Sequence, residues 1–344
     1  MKHILIGKPG GYSALQLHDA PTPEPGPGEV RIRVRACGVN YADGIIRMGL
    51  YASAKKLHGY PITPGFEVAG VIDAIGEGIT RFKAGDEVIG LTLFNGYASH
   101  LVIDEDGVFP KPGNLSFEEA ATLPTVFLTA WWMAHRQVYP QADDSWLVHS
   151  AAGGVGSALL QLARLADVRA IGVVGAPHKI EHARAMGADQ VIDKSGEDLW
   201  ARAEALTPQG FQAVFDANGV ATLKSSYRHL APTGRLVIFG FASMLPRDGR
   251  LNWFKLARDW LKTPRFNPLD MTQANKSVLA ANLSFLQAHA STMRDGMQWL
   301  LERFTDERLV PLPVETFPLA QAAEAQRRIE SGQTVGKLAL IPYD

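Results

Sequence analysis

The chain has 344 residues, more than one ordinary domain contains, and this length predicts two domains with separate cores. Its composition, 46% apolar and 20% charged residues, is that of a folded globular protein, and the formal net charge of -1 argues against nucleic-acid binding. The single cysteine, Cys37, excludes an intramolecular disulfide and any metal site made of several thiolates. The sequence shows no signal peptide and no apolar run long enough to span a membrane, so we expect a cytoplasmic protein.

The N-terminal part of the chain predicts a β-dominated, barrel-like region, because short β-rich runs are separated by clusters of Gly and Pro. Strands are predicted there at 30–36, 68–75, 87–93 and 98–103. From residue 123 onward the pattern becomes an alternation of strands (145–149, 169–174, 190–192, 213–216, 235–239) and helices (155–166, 178–186, 198–206, 221–230). Helical connections of this length imply parallel pairing through right-handed crossovers, and so predict the α/β class with a doubly wound sheet.

A polar-aromatic insertion follows at 251–278 and contains Trp253 and Trp260, but the sequence assigns it no function. After it, helices are predicted at 291–305 and 319–331, and a final strand at 337–341.

The strongest chemical signal is a glycine-rich turn between the strand at 145–149 and the helix that follows it. The turn reads Ala151, Ala152, Gly153, Gly154, Val155, Gly156, with alanine where a dinucleotide-binding turn commonly has its first glycine. Gly153 allows the backbone to approach a pyrophosphate, and Gly156 allows the helix to pack close to the strand. The alternative is a tight turn without a ligand. The further strand–helix units behind the turn favour dinucleotide binding.

The second strand of this fold indicates which dinucleotide is bound. An NAD site usually places an acidic residue at the end of that strand, on the ribose hydroxyls. The window 171–179, which includes Gly175, contains no acid and ends in Lys179. Since no carboxylate would repel a 2′-phosphate there, we favour NADPH. Lys179 is either a partner of that phosphate or an ordinary solvated residue.

With these residues in place, the chain resembles the medium-chain dehydrogenase/reductase superfamily, in its zinc-independent quinone oxidoreductase branch and most closely the VAT-1-like group. The resemblance runs nearly end to end. Besides the glycine turn, the matching motifs stand at 37–43 (CGVNYAD), 63–70 (TPGFEVAG), 83–88 (KAGDEV), 96–98 (GYA), 128–131 (LTAW) and 336–338 (GKL), with 40–43, 47–51, 262–269 and 275–278 closest to the VAT-1-like group.

The resemblance implies a domain organisation and an assembly. A GroES-like β-barrel domain is expected at 1–125 and again at 287–344, enclosing a Rossmann-type dinucleotide-binding domain at 126–286. A homodimer is expected, paired through the last strand of the dinucleotide sheet near 281–286.

The resemblance also bears on metal binding. In the positions where zinc-using relatives carry a cysteine and a histidine ligand, this chain has Asn40 and Phe66. A catalytic zinc needs about three nitrogen, sulfur or carboxylate ligands, and a phenyl ring cannot ligate. We therefore expect no metal, and we interpret Cys37 as a buried, unreactive thiol.

Catalytic roles are implied by the resemblance for Tyr51, Asn40 and Asp43. Tyr51 is the candidate proton donor or oxyanion partner, because related enoyl reductases have a tyrosine in the matching loop; the alternative is a tyrosine that only lines an apolar pocket. Asn40 and Asp43 are expected on the nicotinamide side, although Asp43 is also a good helix cap. Tyr41 is a candidate for the substrate pocket.

Further cofactor contacts are implied by the resemblance, each with a purely structural alternative. Thr129 is expected near the nicotinamide, or else it bonds its own helix backbone. Asn218 ends one strand, and Phe239, Gly240 and Phe241 end the next, so they either touch the cofactor or form a turn and a core terminus. Lys194 replaces a tyrosine of many relatives, and it either contacts the 2′-phosphate or is solvated.

These features lead to two hypotheses of different kinds. The first is an NADPH-dependent oxidoreductase that transfers hydride to a quinone or an α,β-unsaturated carbonyl, because conjugation stabilises the developing charge without a metal. The second is a non-catalytic NADPH-binding protein that senses the cofactor or organises a partner. A zinc alcohol dehydrogenase is a weaker third, opposed by Phe66 and the single cysteine.

Overall fold

A computed structural model describes residues 1–246 and 251–343. It divides into two compact units. The terminal unit comprises Met1–Leu128 and residues 284–343, and the central unit comprises Thr129–Pro246 and Leu251–Leu283.

The strands of the described residues are β1 (Lys2–Leu5), β2 (Gln16–Asp19), β3 (Glu29–Val39), β4 (Glu67–Ile75), β5 (Glu87–Leu91), β6 (His100–Asp104), β7 (Val108–Pro110), β8 (Ser145–His149), β9 (Arg169–Val174), β10 (Gln190–Asp193), β11 (Phe211–Asp216), β12 (Leu230–Ile238), β13 (Ser277–Ala280), β14 (Val314–Pro318) and β15 (Lys337–Ile341). The α-helices are α1 (Tyr41–Arg47), α2 (Phe117–Ala121), α3 (Pro124–Trp131), α4 (Gly154–Leu165), α5 (Ile180–Ala185), α6 (Leu199–Leu206), α7 (Leu223–Arg228), α8 (Trp253–Lys262), α9 (Pro268–Ala274), α10 (Ala290–Thr305) and α11 (Ala322–Glu330).

The terminal unit is built on a mixed sheet in the order β14-β15-β3-β4-β5-β7, with β6 also paired to β3. Both chain ends contribute to this sheet, because β15 pairs antiparallel with β3. The alternation predicted at 30–36 holds: Val30, Ile32 and Val34 are fully buried in the core, while Arg33 and Arg35 are exposed. A period of two is what a strand with one solvated face requires.

The central unit is a parallel sheet in the order β10-β9-β8-β11-β12-β13. Its strand order reverses between β8 and β11, the arrangement of a doubly wound fold. Helices cover the sheet, so its strands are nearly continuous apolar runs; Leu147, Ile171 and Val214 are fully buried. The carboxyl ends of all these strands lie on one edge, where α/β sheets bind ligands.

One predicted strand is wrong. The last strand of the sheet was expected near 281–286, but it is β13, and Leu283–Phe285 forms a 3₁₀ turn instead. The reason is the length of the neighbouring strand. β12 ends at Ile238, which pairs with Ala280, and the Ala281 amide donates the last bond to the Ile238 carbonyl. Beyond that point no strand of the sheet remains to pair with the chain.

The insertion at 251–278 folds largely as two helices, α8 and α9, followed by the first residues of β13. Asn252 and Asn267 begin the two helices, because each side-chain oxygen accepts a hydrogen bond from a backbone amide of the first turn.

A buried ion pair ties α1 to α11 inside the terminal unit. The Arg47 guanidinium and the Glu330 carboxylate are 2.6 Å apart, with side chains 0% and 2% exposed. Arg47 also donates to the Gln326 side chain and the Gly10 carbonyl, and Tyr12 donates to Glu330 at 2.6 Å. The pair therefore joins segments far apart in the sequence.

Glu330→Gln should lower the free energy of unfolding by about 3 kcal/mol or more, because it leaves the buried Arg47 charge without its counter-charge. Glu181→Gln is the matched control: its pair with Arg184 is equally short, 2.7 Å, but 82% exposed on the Glu181 side. That change should cost less than about 1 kcal/mol. Denaturant unfolding of both variants measures the contrast, and equal losses would contradict it.

Candidate functional site

The glycine turn lies between β8 and α4, at the centre of the carboxyl edge of the parallel sheet. Gly153 is the N-cap of α4 in an extended conformation, and its amide donates to the Ser150 carbonyl at 2.9 Å. The first-turn amides of an α-helix, here those of Gly154 and Val155, have no partner within the helix. Together with the positive end of the helix dipole they form a site for an anion.

Gly156 permits this turn sterically. A Cβ at that position would lie 2.3 Å from the Ser150 carbonyl oxygen, a backbone atom that cannot move aside cheaply. Gly153, by contrast, has only one near neighbour, at 3.3 Å. Ser157 then fastens the start of α4, since its hydroxyl bonds the Ala151 carbonyl and the His182 ring. The packing role of Gly156 is thus seen directly, and the approach of a pyrophosphate at Gly153 stays a prediction.

Two lysines of the candidate site belong to the next strands of the same edge. A Cβ on Gly175, directly after β9, would lie 3.5 Å from the Lys194 side chain. The Lys194 amide also donates to the Val174 carbonyl at 3.1 Å, which holds the residue after β10 against the end of β9. Lys179 ends the 3₁₀ turn Pro177–Lys179 that leads into α5. The Lys194 cation therefore lies where an NAD site would have an acid.

Asp216 organises the loop after β11, a role that sequence reasoning did not identify. One carboxylate oxygen accepts from the Asn218 amide at 2.8 Å and from the Gly219 amide at 3.1 Å. The other accepts from the Ser226 hydroxyl at 2.7 Å, which also bonds the buried His149 ring. Burial lowers the pKa of His149, although the charge of Asp216 acts in the opposite direction.

The loops after β11 and β12 lie in contact. The Gly240 position has no room for a Cβ, which would be 2.8 Å from the Ala217 carbonyl oxygen, and a Cβ on Gly219 would meet the Phe241 ring at 2.7 Å. The Asn218 side-chain nitrogen is buried and has no hydrogen-bond partner in the structure. A buried amide without a partner is costly, and a bound ligand would satisfy it. Phe239 joins these loops directly after β12.

The residues present in the central unit fit a dinucleotide. They offer helix amides for the paired phosphates, an unsatisfied amide at Asn218 and a cation at Lys194, all along one sheet edge. Thr129 lies half-buried in α3, at the first residue of this unit. Its contact with a nicotinamide remains a prediction.

Tyr51 lies in an apolar cluster of the terminal unit, just after α1. Its ring packs edge-on against Phe66, with centroids 5.9 Å apart, and Phe66 in turn contacts Phe94. The Tyr51 hydroxyl is 2.8 Å from the Ser284 hydroxyl. Ser284 carries no sequence signal for this role, because 233 residues separate it from Tyr51. Tyr41 is the first residue of α1 and is half-buried.

Asn40 is buried and engaged within the fold. Its side-chain nitrogen donates to Glu67 at 2.7 Å, and its oxygen accepts from the Lys337 ammonium at 2.6 Å. Lys337 also pairs with Glu67 at 3.0 Å, with side chains only 3% and 0% exposed. The structure therefore shows Asn40 as a bridge in a buried ion pair, and a catalytic role for it remains a prediction.

Asp43 is fully buried and caps α1. It accepts from the Asn40 amide and from the Tyr97 hydroxyl, each at 2.8 Å, while its other carboxylate oxygen has no partner. Burial raises the pKa of Asp43 to about 7. The capping alternative is thus seen directly, and catalysis by Asp43 is a prediction that the geometry does not test.

Cys37 has the buried surroundings that the sequence indicates. Cys37 is fully buried, and burial raises the pKa of its thiol to about 12, so it is unreactive. Among residues 1–246 and 251–343, no three His, Cys, Asp or Glu side chains are grouped to hold a metal ion. Nor does that part of the chain contain a helix with the length and apolar character to cross a bilayer.

Comparisons with known proteins agree with this geometry. The family model described as "Zinc-binding dehydrogenase" matches residues 154–284, and the model described as "Alcohol dehydrogenase GroES-like domain" matches residues 26–129. The expected fold class, a doubly wound parallel sheet with a GroES-like β domain, is confirmed.

Individual relatives cover almost the whole chain. A quinone oxidoreductase of Pseudomonas aeruginosa is 34% identical over 99% of both chains, and the human synaptic vesicle membrane protein VAT-1 homolog is 32% identical over 97% of this chain and 84% of the relative. Among solved structures, Escherichia coli quinone oxidoreductase complexed with NADPH is 28% identical with a TM-score of 0.85, covering 99% of this chain and 100% of that one.

The buried Asp43 predicts an unusual dependence of stability on pH. With a folded-state pKa of about 7 against an ordinary 3.8, Asp43 keeps its proton in the folded chain after the unfolded chain has lost it. The free energy of unfolding should therefore fall as pH rises from about 4 to about 7. The Asp43→Asn side chain cannot titrate. As pH rises over this range, the free energy of unfolding of this variant should therefore increase relative to that of the wild type, by at most about 4 kcal/mol.

Denaturant unfolding at pH 5 and pH 8 measures this effect. Asp86→Asn is the opposing control, because a hydrogen bond from the Lys83 amide lowers the pKa of Asp86. That variant should lose stability relative to the wild type as pH rises. Parallel pH profiles for Asp43→Asn and the wild type would show that Asp43 is ionised throughout.

Proposed function

Since this chain belongs to the medium-chain dehydrogenase/reductase superfamily, we propose that it is an NADPH-dependent oxidoreductase that transfers hydride to a quinone or an α,β-unsaturated carbonyl without a metal. The observation that carries the proposal is the β8–α4 turn, whose Gly156 leaves the first-turn amides of α4 open to the cofactor's phosphates. Support comes from the related quinone oxidoreductase whose structure is complexed with NADPH.

In this proposal the central unit holds the cofactor. Gly154 and Val155 donate their amides to the pyrophosphate, and the Asn218 side chain gains a partner on binding. Lys194, beside Gly175, pairs with the 2′-phosphate, and Lys179 adds a second cation at the same end of β9. NADPH is preferred to NADH because these charges favour the extra phosphate.

The terminal unit supplies the acceptor side of the reaction. When bound, NADPH supplies the hydride. Phe66 and Phe94 offer aromatic rings that suit a flat, apolar acceptor, and Tyr51 offers a hydroxyl among them. Ser284, 2.8 Å from that hydroxyl, orients the phenol so that it donates to the oxygen on which charge develops.

A conjugated acceptor fits a site without a Lewis acid. Reduction of a simple ketone concentrates negative charge on one oxygen, and a single phenol stabilises that charge less than a metal does. In a quinone or an enone the charge spreads through the conjugated system. This is the reason for proposing these substrates rather than simple ketones.

A second candidate function is favoured by the similarity to the VAT-1 homolog, whose printed name describes no reaction. In that case the chain binds NADPH as a sensor or as an organiser of a partner and does not turn it over. We further propose a cytoplasmic homodimer in which the sheet is extended at β13, the strand at one end of the parallel sheet.

Tyr51→Phe should lower kcat for a responsive quinone or enone about 100-fold while NADPH binding is unchanged, because the ring stays and only the proton donor is lost. Tyr139→Phe, at a tyrosine that is 55% exposed, is the control and should have no effect. Steady-state assays with a panel of quinones, enones and enals measure this. A kcat within about twofold of the wild-type value would show that Tyr51 is not the proton donor and only lines the pocket.

The same panel separates the two candidate functions. Turnover above background with any acceptor supports the oxidoreductase. NADPH binding in calorimetry without turnover across the panel would favour the sensor. If neither nicotinamide nucleotide binds, both are wrong.

Lys194→Gln should weaken NADPH binding about tenfold and leave NADH binding nearly unchanged, because only NADPH carries the 2′-phosphate. Arg164→Gln is the control, since Arg164 is an exposed cation in the last turn of α4, at the end opposite the glycine turn. Calorimetric titration with both nucleotides checks the contrast. An equal loss for NADH would show that Lys194 acts on something other than that phosphate.

A further inference from the structure

Helix α8 is oriented against the usual rule for a surface helix. Trp253, Phe254, Trp260 and Leu261 are 64%, 93%, 65% and 74% exposed. The buried residue of the helix is the charged Asp259, at 6%. A helix that only covered a core would show the reverse pattern, with its apolar stripe inward.

The inward side of α8 is held by polar contacts. Asp259 accepts from the Lys255 ammonium at 2.8 Å and from the Arg258 guanidinium at 3.0 Å. Lys255 also donates to the Ser243 carbonyl, in the turn that follows Phe241. The first two bonds lie within α8, and the bond from Lys255 to Ser243 joins this polar side of the helix to the loop after β12, while the apolar side stays exposed.

The exposed apolar side chains form one face. Trp253 and Trp260 are seven residues apart, as are Phe254 and Leu261, and a separation of about two turns puts both pairs on the same side of an α-helix. Leu269 of α9 is a further exposed apolar residue, at 72%. Large apolar residues grouped at a surface indicate an interaction site, whereas single ones need no explanation.

Cations flank this face. Arg258 is 61% exposed at its side chain, and Lys262 and Arg265 are also exposed. From 251 to 276 the chain carries five Lys or Arg against two Asp, and one of those is the buried Asp259. The surface around the apolar face is therefore positive, although the chain as a whole has a formal net charge of -1.

We propose that α8 is a membrane-surface helix that binds the chain to anionic phospholipid bilayers. Its Trp, Phe and Leu side chains enter the boundary between headgroups and acyl chains, and Arg258, Lys262 and Arg265 meet the lipid phosphates. Tryptophan suits that boundary, because its ring is apolar and its indole N–H donates to polar headgroups. The attachment is peripheral.

The charges favour a bilayer over a second copy of this chain as the occupant. If α8 packed on α8 of another copy about a twofold axis, two segments with the same positive net charge would be brought together. Like charges facing each other across such an interface are unfavourable. An anionic bilayer presents the opposite charge to the same residues.

Vesicle flotation of the full chain tests the proposal. The probes are vesicles of phosphatidylcholine alone and vesicles that also contain phosphatidylglycerol. The wild type should bind the anionic vesicles at least about tenfold better than the neutral ones, and high salt should weaken that binding. Lys262→Glu with Arg265→Glu should remove the preference for anionic lipid.

Phe254→Ser with Leu261→Ser should reduce binding to anionic vesicles about tenfold or more, because the inserting side chains are lost. Leu17→Ser is the matched control, since Leu17 is 42% exposed on β2, in the other unit, and should leave binding unchanged. All three side chains are exposed, so thermal melting should show folded variants. Blue-shifted tryptophan emission on vesicle addition, lost in Trp253→Phe with Trp260→Phe, gives a second readout.

Two results would overturn the proposal. One is equal flotation of the wild type and the Phe254→Ser, Leu261→Ser variant. The other is a wild type that does not bind vesicles but forms an oligomer in light scattering, where the Phe254→Ser, Leu261→Ser variant is a monomer. In that case a second copy of the chain would be the occupant of the apolar face. Neither measurement uses NADPH or an acceptor, so the outcome is independent of the proposed reaction.

Discussion

The constraint on which the candidate site depends is the approach of α4 to the end of β8. Only a residue without a Cβ fits at Gly156, because the Ser150 carbonyl oxygen would lie 2.3 Å from that atom. The approach brings the start of α4 over the end of the strand, so the helix amides open toward the carboxyl edge of the sheet. The loops that contain Lys194, Asn218 and Phe241 belong to the same edge, because parallel strands all end on one side.

The two units place polar groups under different physical conditions. At the sheet edge of the central unit, the first-turn amides of α4 have no partner within the helix and suit an anionic ligand. Inside the terminal unit, Arg47 with Glu330 and Lys337 with Glu67 are ion pairs closed off from water. Closed pairs fix the packing of distant segments, and breaking one partner is costly. Asn40 lies within this closed network, and its side-chain nitrogen and oxygen are both engaged there, with Glu67 and Lys337.

Two surfaces of the central unit, the glycine turn and the exposed face of α8, suit different kinds of partner. The glycine turn suits a soluble, anionic cofactor, and α8 suits an apolar, anionic boundary. Lys255 joins α8 to the Ser243 carbonyl, in the loop after β12 that also holds Phe239 and Gly240.

The sequence by itself determined the class of fold and the identity of the turn. Alternation at 30–36 and apolar runs at 145–149 are local patterns, and local patterns suffice to place strands such as β3 and β8. The glycine spacing and the lack of an acid at 171–179 are equally local. Boundaries that depend on a neighbour were less well predicted: β13 ends at Ala280 because β12 ends at Ile238, which no feature of 277–286 records.

Only the tertiary structure decided how distant residues meet. Ser284 reaches Tyr51 across 233 residues, and Asp43 acquires its raised pKa from burial that its own sequence does not encode. Helix α8 shows the same division: its amphipathic pattern is in the sequence, but the pattern cannot say which face points outward. That depends on contacts such as the one from Lys255 to Ser243, because a side chain's environment is set by packing rather than by its neighbours in the chain.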